Sequence, residues 1–156
     1  MTGKSAFTED EWHALTEAPL LIAEAVFLVG EHGPISMLKE ASASARAITR
    51  PGEHQAANAL IGEIVAEANT KEARAEAKKH RGPTPEAAIE SMLVELQAAA
   101  TALKKLPPDE AEQVAAWFVS IAETIARSAK TVNPSEDTTI SKIASTFGVE
   151  RGSGGT

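Results

Sequence analysis

The chain has no cysteine, which removes disulfides, thiolate metal sites and a cysteine nucleophile together. Tyrosine is also absent, and aromatic residues make up only 4% of the sequence. A base-stacking platform for single-stranded nucleic acid needs more rings than that, and so does a tyrosine-rich recognition face. Cations are outnumbered: 15 Lys and Arg stand against 22 Asp and Glu, a formal net charge of −7. General attraction to DNA or anionic lipid is therefore not expected. The extended apolar stretch runs from Pro19 to Val29, too short to span a bilayer. It follows a polar N-terminus, so no signal peptide is expected. A soluble, cytoplasmic protein is the resulting expectation. No Gly-x-Ser-x-Gly elbow, phosphate-binding glycine loop or dinucleotide fingerprint occurs, so no catalytic residue is assigned and the chain is read as non-enzymatic.

What is present is helical pattern. The 156 residues are 43% hydrophobic and 24% charged, an ordinary globular balance for one domain with its own core. "FTEDEW" is a helix start: Thr8 caps, Glu11 reaches back as its capping-box partner, and Phe7 and Trp12 occupy the staple positions. Pro19 then predicts a break or kink after about ten residues, because it lacks an N–H and its ring crowds the preceding turn. "EHGPIS" is a second punctuation. Beyond it Ile35, Leu38, Ala41, Ala45 and Ile48 step by three and four, a helical stripe that "TRPGEH" closes.

The next helix carries Ala57, Leu60, Ile61, Ile64, Val65 and Ala68 on one face. Thr84 and Pro85 open another, with Ile89, Met92, Leu93, Leu96, Ala100 and Leu103 as its stripe. "LPPDEAE" starts the following one with acids in the first turn, which suit the macrodipole. Val114, Trp117, Phe118, Ile121 and Ile125 face inward. A short last helix repeats Ile140, Ile143, Ala144 and Phe147, with Gly148 placed for a left-handed cap and Val149 to pack back on the helix end. No strand-like alternation of any length appears. The reading is all-α: a compact bundle of six to seven helices joined by short loops, one domain over residues 1–149, with 150–156 a flexible tail.

Three groups are candidates for chemistry or binding. Glu17, Glu24 and Glu31 lie seven apart, with His13 four residues before Glu17. A di-iron bundle requires carboxylates on separate helices and Glu-x-x-His motifs, and this chain has no such motif. The expectation is a polar stripe, with Glu24 at the core margin, reaching solvent or paired with a cation such as Arg46. The histidines, His13, His32, His54 and His80, have no ligand-spaced neighbours, so no metal site and no cofactor are assigned. The third group is basic: Lys71, Arg74, Lys78, Lys79 and Arg81 outweigh Glu72 and Glu76, a local charge of +3 that leaves −10 elsewhere. This helix end is able to dock an acidic partner or a phosphate-bearing ligand; the ordinary reading is a solvated end whose cations complement the dipole.

Two stretches carry a family likeness. "VGEHGPISMLKE" resembles the turn signature of TerB-like proteins, through Gly33, Ile35, Ser36 and Glu40, and "SEDTTISKIASTFGV" resembles their terminal helix. The resemblance implies an all-helical fold and a role in a bacterial stress-resistance system. It does not carry over a metal site: His32 stands where the family has an aspartate before the glycine, and Glu40 comes one residue later than the pattern.

Two functional readings follow. One is a helical protein-interaction or assembly module, binding a protein partner or itself as a homo-oligomer, with Trp117, Phe118, Phe27 and Leu28 as anchors left over once the core is filled. The other is a metal- or small-ligand-binding bundle with inward polar groups such as Glu24 and His32.

Overall fold

The computed structural model describes residues 4–29, 59–68, 70, 72, 84–127 and 134–149. Every regular element among them is helical: a 3₁₀ turn at Lys4–Ala6, then α1 (Glu9–Val29), α2 (Ala59–Ala68), α3 (Pro85–Leu103), α4 (Pro108–Arg127) and α5 (Pro134–Thr146). The expected all-α architecture is therefore present, with five α-helices among the described residues. The helix expected over 35–48 lies outside them.

The start and stop signals act as their chemistry requires. The Thr8 N–H donates to Glu11 Oε1 at 2.8 Å and the Glu11 N–H donates to Thr8 Oγ1 at 3.2 Å, a reciprocal capping box that satisfies two otherwise orphaned donors. The staple residues Phe7 and Trp12 meet with ring centroids 6.2 Å apart. Thr84 caps α3 by accepting from the Ala87 N–H at 3.2 Å, with Pro85 in the first turn. At the end of α5, the Val149 N–H reaches the Ala144 carbonyl at 2.9 Å and the Gly148 N–H reaches Ser145 at 3.1 Å. That bond pair is a Schellman motif, and it places Gly148 at φ 67°, a region where a side chain is strained and glycine is not.

The helices assemble around α1, which packs against each of the other four, most extensively against α3. Its residues Ala14, Leu15, Ala18, Leu21, Ile22, Ala23, Ala25 and Val26 are all buried. Such a spread exceeds one face, the mark of a helix enclosed by its neighbours. Leu60, Ile61 and Ile64 come in from α2, Met92 and Leu96 from α3, and Ile121 and Ile125 from α4, all essentially without exposure. Phe147 packs tilted against Phe118 at a centroid distance of 5.0 Å, and Phe118 against Trp117 at 5.3 Å, which fixes the end of α5 to α4.

Three expectations are corrected. The break expected at Pro19 is absent, since α1 continues through it from Glu9 to Val29, and only the kink alternative stands. Pro19 has no N–H to give the Leu15 carbonyl, a cost of about 3 kcal/mol in an isolated helix. Here the turns on both sides of it are buried, and so is Pro19. Packing of the enclosed helix outweighs the lost bond. The polar stripe is also broken at its first member, because Glu17 is only 2% exposed. Glu24, one helical repeat further on, is half-buried at the core margin; Glu31 and Arg46 lie outside the described residues. Finally, Trp117 and Phe118 are not left over for an interface. They are 1% and 0% exposed and belong to the core.

That placement has a measurable consequence. Trp117→Ala is expected to lower global stability by about 3–5 kcal/mol, the usual range for deleting a large buried ring. Urea unfolding followed by circular dichroism checks it. A loss under about 1 kcal/mol would show that Trp117 is not core.

Candidate functional site

Among the described residues, two surface clefts hold polar and apolar groups available for recognition. The larger, of about 860 Å³, opens where α3, α4 and α5 converge at their ends. Its apolar lining comes from Leu103, Ala111, Ala115, Phe147 and Val149, and its charged groups are Lys104 and Glu112. Local structure explains each contribution. The α3 helix closes tightly, with Lys104, Lys105 and Leu106 donating to the carbonyls of Thr101, Ala102 and Leu103, so Lys104 is carried just past the helix end. In α4, Ala111 and Ala115 are four apart and present one small-residue face. The Schellman turn brings Phe147 and Val149 back over the end of α5. The result is a recess with small walls, one ring and one charge of each sign.

The smaller cleft, of about 610 Å³, lies beside the N-terminal turn and is lined by Lys4, Phe7, Trp12, His13, Thr16 and Glu67, among others. Lys4 Nζ stands 5.8 Å from the centre of the Trp12 ring and 4.0 Å from Glu67, and its backbone N–H donates to Glu63 Oε2 at 3.1 Å. The 3₁₀ turn is thereby fastened to α2. His13 Nε2 lies 3.3 Å from Oε2 of Glu17. The imidazole is half exposed while the carboxylate is buried, so one face of His13 meets water and the other covers a carboxylate. The Trp12 indole N–H is buried without an acceptor, as is that of Trp117.

Between the clefts, Lys105 donates to Glu11 Oε1 at 2.5 Å. This ion pair joins the start of α1 to the turn after α3. The hydrogen bond from Lys105, then the backbone bond from Thr8, hold the Glu11 carboxyl below the ordinary carboxylate range.

Of the basic group named from sequence, Lys71, Arg74, Lys78, Lys79 and Arg81 lie outside the described residues. So do His32, His54 and His80, and the side chains of Phe27 and Leu28. Among the described residues, no group of three or more His, Cys, Asp or Glu is placed to hold a metal ion, and no helix is long and apolar enough to cross a membrane. Sequence reasoning missed the large cleft. Its signals were present, namely the Ala111–Ala115 spacing in α4 and the glycine cap that folds Val149 back, but nothing in the sequence brings them beside Leu103.

Comparison with protein-family models, with curated proteins and with solved structures returns no match.

The Glu11 pair sets a pH dependence. A carboxyl whose folded pKa is lowered stabilises the fold above its unfolded value and loses that contribution as pH falls through the lowered value. Lys105→Met is expected to lose stability at neutral pH and to differ progressively less from the unmodified chain below pH about 4.3, where carboxylates protonate. Melting curves from pH 7 to pH 3 check this. A constant offset across that range would show that the pair is not the cause.

Proposed function

We propose that this chain is a non-enzymatic helical interaction module that docks a protein partner, copies of itself included, at the cleft where α3, α4 and α5 end. One observation carries the reading: an apolar recess of about 860 Å³ with Lys104 and Glu112 at hand. Small walls let a partner's backbone approach closely, and the Phe147 ring supplies apolar area. A charge of each sign orients a partner of complementary pattern more than it adds affinity. The basic segment Lys71 to Arg81 is a second docking element for an acidic partner in this reading. A bacterial stress system as the setting rests on the TerB-like resemblance of the sequence alone.

The second reading, a small-ligand-binding bundle, also has an observation behind it. The His13–Glu17 pair borders the smaller cleft, beside the ring of Trp12, and a half-exposed imidazole over a buried carboxylate is a serviceable polar contact for a ligand.

Solution mass over a concentration series, with metal analysis of the same sample, separates the two. The interaction reading expects metal-free association that weakens when Ala116→Arg fills the cleft from α4. A monomer at every concentration carrying a stoichiometric metal or small molecule would contradict it and favour the second reading.

A further inference from the structure

We infer that a second copy of this chain docks antiparallel along α3, its two-fold axis at Val94. The inference rests on the interaction reading and names its partner.

The inner side of α3 is spent on the core, through Ala88, Met92, Leu96, Ala99 and Leu103. The outer side carries Val94, which is 64% exposed and the one large apolar side chain so exposed among the described residues. Ala87, Ser91, Ala98 and Thr101 are exposed on the same side, and with Val94 they step by four and three. That period is the helix–helix seam, in which such residues face a partner helix. Lys104, about 80° round the helix from Val94, lies on the flank of this face and also lines the large cleft.

Charge selects the occupant and its direction. Glu86 and Glu90 are exposed in the first half of α3, and Lys104 is exposed just past its end. No ion pair among the described residues engages any of the three. A helix rises 1.5 Å per residue, so Glu86 stands about 12 Å from Val94 along the axis and Lys104 about 15 Å the other way. Two antiparallel copies crossing at Val94 bring each Glu86 to within about 3 Å of axial register with the other copy's Lys104, inside lysine reach. Ala87 then faces Thr101, Ser91 faces Ala98, and each acidic end arrives at the mouth of the other copy's cleft. A parallel pair would instead set Glu86, Glu90 and Lys104 against themselves, which is unfavourable. The antiparallel arrangement carries one like-charge contact of its own, between the two half-buried Glu95 side chains beside the axis. A single helix seam is smaller than a standard interface, so the dimer depends on concentration.

Because the chain has no cysteine, Val94→Cys introduces a single thiol. At concentrations where mass shows dimer, oxidation is expected to link Val94→Cys to itself. Ala87→Cys should stay unlinked, its two thiols lying about 21 Å apart along the seam, far beyond disulfide reach. Lys104→Glu should weaken the dimer about tenfold, through two symmetric pairs, and Glu95→Gln should tighten it about twofold. A dimer by mass without the Val94→Cys link would overturn the α3 docking while leaving the interaction reading standing. Equal linking of Ala87→Cys would overturn the antiparallel arrangement. A monomer at every concentration would overturn self-docking, and a Val94→Cys thiol shielded from labelling in that monomer would show that the chain covers the face itself. Bound metal in such a monomer would mark the failure of the interaction reading as well.

Discussion

The burial of α1 around most of its circumference is the constraint from which the other helices take their places. Leu15, Leu21, Ile22 and Val26 are 0–1% exposed; Leu15, Ile22 and Val26 share one side of the helix, and Leu21 stands about 100–140° round from them. Each such side chain contributes about 1.5–3 kcal/mol when removed from water. The contribution is available only if neighbours close over all of them at once. Helices α2, α3, α4 and α5 each supply part of that enclosure, so none is optional to the described core. The same demand holds Pro19 inside a continuous helix. Breaking α1 there would expose turns whose apolar side chains are already committed to several partners.

Polar groups mark where the enclosure ends. The capping box of Thr8 and Glu11 satisfies the start of α1 while the Lys105 bond to Glu11 ties that start to the α3–α4 turn. Lys4 secures the N-terminal turn to Glu67 of α2 and lies over Trp12. Glu17 is drawn inside and is met by His13, whereas Glu24 stays at the margin. Beside that α3–α4 turn, the helix ends of α3, α4 and α5 do not close on one another, and the large recess results. Its walls are small because Ala111 and Ala115 leave α4 nothing long to fill it with.

Much of this was legible in the residues. The capping box, the Thr84–Pro85 start and the Gly148 cap depend on neighbours within six positions, and each appears as the sequence signals it. The stripes of α2, α3 and α4 follow from a period that burial on one side imposes. Four features were not legible, for a shared reason: each is decided by residues distant in sequence. Proline reads as a break until the surrounding packing is known. Trp117 and Phe118 both fall on the inward stripe of α4, and whether the core has room for both rings depends on the other helices. The Phe147 ring, just past α5, packs tilted against Phe118, while Trp117 is also taken into the core. Glu17 repeats with Glu24 along the helix, yet one is inside and the other is not, because the turns of α1 meet different neighbours. The recess is likewise a meeting of three helix ends, and no local pattern encodes it.

Native-state hydrogen exchange along α1 tests the central claim most directly. If α1 is one helix held by enclosure, the amides of Leu21 to Val26 open only with global unfolding. Their exchange free energies then equal the stability measured by denaturant. Exchange of these amides well below that value, with those of Leu15 to Ala18 protected, would show that α1 parts at Pro19 and that the enclosure does not hold it.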